Sequence, residues 1–147
     1  MKVRLQKVQK EQEEIIIRYQ NMTSEIEDIV RYLEGKNEKL IGTKDGQQYM
    51  IRPQDVIYLE SVDGGTFIYT KKEIYRTGIT LAQAELLYGK EGFFRCSKAM
   101  VMNIYRIVKL KSEPGNRIDA MMDNDEHVLI SRRYAKELRN ILKGGVL

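Results

Sequence analysis

This chain of 147 residues has one cysteine, Cys96, one histidine, His127, two prolines and no tryptophan. A lone cysteine excludes an internal disulfide and fits a reducing compartment. One histidine and one cysteine are too few for the usual zinc site, and His127 falls inside a strand pattern, where a packed or solvent-facing ring is expected. Ser-His-Asp order, a Gly-rich phosphate loop and a recognisable catalytic carboxylate pair are missing too, so nothing here assembles an enzyme. The acidic run Asp123, Asp125 and Glu126 lacks calcium-loop spacing and reads as a hairpin tip. No apolar run approaches the roughly 18 residues of a membrane helix. The charged start, Met1-Lys2-Val3-Arg4, contains no signal-peptide h-region. These absences predict a cytoplasmic protein with no cofactor, no metal and no small-molecule substrate.

Charge is present, and it is uneven. Residues 91–147 carry eleven Lys/Arg against seven Asp/Glu, whereas residues 1–40 and 41–90 are each balanced, so the net charge of +4 lies in the last third. A basic end suggests a polyanion: nucleic acid, or less often an anionic membrane surface. A solvated basic face gives the same count, and charge alone leaves both open.

Periodicity predicts many short strands. Val3 to Val8 and Glu13 to Tyr19 read as two strands, joined through Gln9 to Gln12. Ser24 with Glu27 forms a capping box for a helix whose apolar stripe is Ile26, Ile29, Val30 and Leu33, with Gly35 ending it. From Leu40, strands alternate with turns at Asp45-Gly46, Asp63-Gly64-Gly65 and Lys71-Lys72. Thr80 with Gln83 opens a second short helix that Gly89 ends. Strands are expected over Ile104 to Leu110, Arg117 to Met122 and His127 to Ile130. Ser131 then caps a last helix with Tyr134, Leu138, Ile141 and Leu142 on one face, before Gly144-Gly145. The fold class is mainly β, a β-rich α+β domain over residues 39–147, with a short N-terminal β/α extension over residues 1–38.

Two stretches hold the chemistry. Phe93 to Arg106 sets Arg95, Ser97 and Lys98 between buried anchors, Phe93-Phe94 on one side and Met100 to Met102 on the other. That pattern predicts a loop held against a sheet with its donors facing out, as phosphates and base edges require. Arg95 and Lys98 would also depress the Cys96 thiol pKa if that side chain were exposed, although a small buried hydrophobe is the commoner use of such a cysteine. Ser131 to Arg139 repeats the chemistry at a helix N-terminus, where Arg133 can fork onto guanine and Arg132, Lys136 and Arg139 can line up on phosphates. A surface ion pair with Glu137 or the acidic turn is the plainer use of the same arginines.

The order Tyr58-Leu59-Glu60-Ser61, Thr66-Phe67-Ile68-Tyr69-Thr70, Phe93-Phe94-Arg95-Cys96-Ser97-Lys98, Val101-Met102-Asn103 and Ile130-Ser131-Arg132-Arg133-Tyr134 resembles the LytTR DNA-binding domain family over residues 40–143. The resemblance implies elongated antiparallel β-sheets with short helices, and loops that enter successive major grooves of double-stranded DNA. It places base reading on Thr66, in the loop after Gly64-Gly65, and on Lys98 and Arg133. It places phosphate contact on Arg95, Ser97, Arg132 and Lys136. Many family members carry histidine at the position of Ser97 and other groove-facing side chains at Thr66 and Lys98, so a preferred DNA sequence does not transfer. About 40 residues precede the match, fewer than a receiver domain needs, which resembles stand-alone regulators of the response-regulator kind.

The reading is therefore a bacterial-type transcriptional regulator that binds DNA as a homodimer, with residues 1–38 as the dimerisation element and a membrane protein as signalling partner. The rival is a protein-interaction module whose basic C-terminal face docks an acidic partner or an anionic membrane surface. Helix coverage of the chain's own sheet is the rival to dimerisation for residues 1–38.

Overall fold

The computed structural model describes residues 2–33 and 39–143, and contacts divide the chain into residues 1–37 and residues 38–147. The first unit holds a 3-10 turn at Lys10–Gln12 and the helix α1, Ser24–Leu33. The two strands expected over residues 1–20 do not form. Val3 and Leu5 alternate with charge as a strand would, yet they are 84% and 96% exposed, and Ile15 and Ile16 are exposed as well. Alternation becomes a strand only where a second strand completes the ladder, and among the described residues none pairs with this segment.

The cap of α1 also lies one residue earlier than expected. Thr23 Oγ1 accepts from Ile26 N at 3.2 Å, and Thr23 O accepts from Glu27 N at 3.0 Å, which makes Ser24 the first helical residue. Two adjacent hydroxyl residues both satisfy the capping preference, so composition does not choose between them. Ile26 is buried, whereas Ile29 and Leu33 stay exposed. The expected stops at Gly35 and Gly144-Gly145 lie outside the described residues.

The second unit is antiparallel β with short helices. Its strands are β1 Leu40–Lys44, β2 Gln47–Ile51, β3 Val56–Val62, β4 Gly65–Thr70, β5 Ile74–Thr77, β6 Phe93–Ser97, β7 Met100–Asn103, β8 Ile107–Glu113, β9 Arg117–Met122 and β10 His127–Ile130. A seven-stranded sheet runs β2-β1-β5-β4-β3-β7-β6, and a three-stranded sheet runs β10-β9-β8. The helices are α2, Leu81–Tyr88, and α3, Arg132–Lys143. Asp45-Gly46 and Asp63-Gly64 turn with positive φ at both positions (51° and 75°, 49° and 78°). That geometry matches the right-handed twist of the flanking strands.

The large sheet is buried on both faces where β3, β6 and β7 lie. Successive strand residues point to opposite faces, so Phe93 joins one core with Leu59, Val101, Leu81 and Ala84, while Phe94 joins the other with Met102, Ile118, Ile130 and Leu138. The central stretch is thus a β-hairpin and not a loop strapped to a sheet. Its two phenylalanines anchor two different cores. Thr80 caps α2 as expected, accepting from Gln83 N at 3.1 Å while Gln83 Oε1 accepts from Thr80 N at 2.9 Å.

Two boundaries differ from expectation. Gly89 has φ −55° and opens a 3-10 turn, Gly89–Glu91; the left-handed stop is Gly92, at φ 93°. A Cβ at Gly92 would stand 2.5 Å from the Tyr105 ring and 3.0 Å from Asn103 Oδ1, so the position is closed to side chains. Ile104–Arg106 is a 3-10 turn ahead of β8, because buried Asn103 accepts from Tyr105 N at 3.1 Å and donates to Val56 O at 2.9 Å. On α3, Ala135 and Leu138 are buried, while Ile141, on the same side of the helix as Tyr134 and Leu138, is 47% exposed. No helix among the described residues is long and apolar enough to cross a membrane.

Candidate nucleic-acid interface

Two backbone hydrogen bonds assemble the site. Ser61 N, near the end of β3, donates to Ala99 O in the β6–β7 turn at 2.8 Å. Ser131 N, just before α3, donates to Cys96 O in β6 at 3.0 Å. Ser61 stands opposite Thr66 across the β3–β4 ladder. The β3–β4 hairpin, the β6–β7 turn and the start of α3 therefore meet at one end of the large sheet. Lys98 and Arg133 each lie two residues from the Cys96–Ser131 bond, which holds their Cα atoms within roughly 20 Å of each other.

Thr66 is the second residue of β4, half-buried and paired with Ser61 and Thr77, so it sits in a strand and not in the loop. Lys98 is exposed at the tip of the β6–β7 turn. Arg132, Arg133 and Lys136 are exposed on the first turns of α3, and the Arg133 guanidinium lies 5.4 Å from the centre of the Tyr134 ring. The guanidinium of this exposed residue thus rests against the ring, a contact worth about 0.5–1 kcal/mol at such a site. Ser97 ends β6, half-buried. Arg95 is the exception among the cations: its Nε donates to Ser97 O at 2.9 Å, its Nη2 to Lys98 O at 2.6 Å and its Nη1 to Glu85 Oε2 at 2.9 Å.

Sequence reasoning missed a further cation. Arg76 on β5 is exposed, and its Nη2 reaches 3.4 Å from where a Cβ on Gly65 would stand, beside the β3–β4 turn. Only the β4–β5 register, which pairs Arg76 with Phe67, brings it there. Cys96 is fully buried, and burial pushes its thiol up to about 12. The cations beside it do not make it a thiolate. Behind the site, Tyr58 Oη donates to Glu126 Oε2 at 2.5 Å, and the Tyr58 and Tyr69 rings stack at 4.3 Å. Desolvation, then the Glu126 bond, holds the Tyr58 hydroxyl well above its usual range, so it stays a donor. That bond ties the large sheet to the β9–β10 turn.

Residues 46–143 match the LytTr DNA-binding domain family. A Bacillus cereus protein named sensory transduction protein LytT is 29% identical over 94 residues, which are 64% of this chain and 38% of LytT. A Staphylococcus aureus protein named an uncharacterized HTH-type transcriptional regulator is 27% identical over 107 residues, 73% of this chain and 72% of that one. A solved LytTr DNA-binding domain from Bacillus cereus superposes with a TM-score of 0.68 at 24% identity, covering 71% of this chain and 96% of that domain, which is a likeness of fold. The match spans well under half the length of LytT.

Proposed function

Because this chain belongs to the LytTr DNA-binding domain family, we propose that it regulates transcription by reading the major groove of duplex DNA with the tips gathered at one end of its large sheet. The observation that carries the reading is the pair of bonds Ser61 N to Ala99 O and Ser131 N to Cys96 O, which bring three separately encoded segments to one place. Lys98 and Arg133 are the base-reading groups, with Thr66 beside them, and Arg132, Lys136 and Ser97 meet phosphates. Nothing about the reading needs a recognition helix: only the first turns of α3 take part.

Arg133→Ala is expected to cost about 1–3 kcal/mol on the preferred duplex and to relax discrimination at one base pair, whereas Lys136→Ala weakens all duplexes alike. Fluorescence anisotropy against a panel of single-base variants separates the two. Equal losses across the panel for both variants remove the base-reading role of Arg133.

We also assign pairing of two copies to the N-terminal unit, since α1 leaves Ile29 and Leu33 exposed on one stripe. Replacing both by Asp is expected to convert a dimer to a monomer in sedimentation velocity, with the fold of residues 39–143 unchanged by circular dichroism. A dimer that persists assigns pairing elsewhere.

A further inference from the structure

Arg95 carries a cation that the chain itself already uses. Its side chain is 21% exposed, and the Glu85 side chain that holds it, on α2, is 38% exposed. Three of its donors are directed inward, two onto the carbonyls of Ser97 and Lys98 and one onto Glu85. The turn it grips needs the help. Two-residue hairpin loops favour positive φ at the first loop position, yet neither Lys98 nor Ala99 has it. The β6–β7 register also slips between Arg95 and Ser97, and a bulge of this kind twists the strand and re-aims the side chains beyond it. In that irregular turn Ala99 O accepts from Ser61 N, and the carbonyls of Ser97 and Lys98 accept from Arg95. A planar guanidinium can satisfy two of them and a carboxylate together, which a lysine ammonium on one flexible stem does not reproduce.

We propose that Arg95, anchored by Glu85, is a positioning residue that fixes the β6–β7 turn so that Lys98 meets a base edge, and that it is not itself a phosphate ligand. This rests on the DNA-binding reading above. Glu85 supplies the decisive sign. Electrostatics alone makes an acid near a DNA-facing end unfavourable, so its removal should strengthen polyanion binding. Positioning makes the opposite prediction, because removal of Glu85 releases Arg95 from the turn.

The test begins with the wild-type full chain selecting duplexes from a randomised pool. If the wild type binds no duplex, the DNA-binding reading fails, and this inference fails with it. With a selected duplex in hand, its affinity and that of a scrambled duplex are measured across a salt series for Glu85→Ala, Arg95→Gln, Arg95→Lys and the double variant Arg95→Gln with Lys98→Ala. Glu85→Ala and both Arg95 variants are expected to lose about tenfold of the preference for the selected duplex, the scale of one base contact. The salt slope stays unchanged, Lys does not rescue, and adding Lys98→Ala costs little more, since both changes remove one contact. The proposal is overturned if Glu85→Ala binds as tightly as wild type or tighter with preference intact. It is equally overturned if Arg95→Gln lowers the slope by about one on every duplex and Arg95→Lys restores it, the behaviour of a phosphate contact. Thermal melts fix a temperature at which every variant is folded, and Glu85→Ala, which leaves Arg95 in place, decides the matter alone if the Arg95 variants do not fold.

Discussion

Leu138→Ala is expected to destabilise the second unit by about 2–5 kcal/mol and to weaken DNA binding at temperatures where the variant is still folded. Leu138 is fully buried in the core that contains Phe94, Cys96, Ile118 and Ile130. With Ala135 it is the deep anchor of α3, and the other apolar contacts of that helix, Tyr134 and Leu142, are only partly buried. The cavity would open near β6, whose Cys96 carbonyl holds Ser131 and with it the approach to Arg132 and Arg133. Stability and presentation of the cations are thus coupled through one side chain. Urea unfolding reads the first as a lower midpoint at unchanged slope, and anisotropy reads the second. Ile141→Ala is the control: the side chain is 47% exposed, so its loss should stay within about 0.5 kcal/mol. A Leu138→Ala loss of that same size would show that α3 is not anchored there.

What the sequence made legible was local. The Asp-Gly hairpins and the Thr80–Gln83 box arise from residues a few positions apart, whose backbone preferences decide the geometry without outside help. What misled was periodicity that depends on a distant partner. Residues 2–20 carry the alternation of a strand, but no ladder completes it. Phe93-Phe94 was legible as buried, yet the two faces it serves become visible only once α2 lies on one side of the sheet and β9, β10 and α3 on the other. The site shows the same division. Residue types at Lys98 and Arg133 pointed to anion and base contact, but their adjacency depends on two backbone bonds spanning more than thirty residues each, Ser61 to Ala99 and Cys96 to Ser131. Arg95 reads as one more cation in the run, because nothing in its neighbours announces that Glu85 and two turn carbonyls will take up its donors.

That difference in the use of the cations sets the expected salt dependence. Lys98, Arg132, Arg133 and Lys136 are exposed at the gathered end, and each cation brought to the DNA backbone releases a condensed counterion. On the reading above Arg132 and Lys136 do so, and the slope of log affinity against log salt for one chain is about −1.8, so raising salt from about 50 to about 200 mM costs about twelvefold. Two copies on paired sites double the slope, and the same change then costs about 150-fold. On the positioning proposal Arg95 adds nothing to either figure, its charge being opposed by Glu85 at 2.9 Å. The slope therefore counts both the cations at work and the copies bound, and Arg132→Ala should lower the single-chain value by about one. A flat dependence on salt, with binding otherwise intact, would mean that these side chains do not face the phosphates, because no arrangement of neutral contacts and base edges releases counterions on that scale.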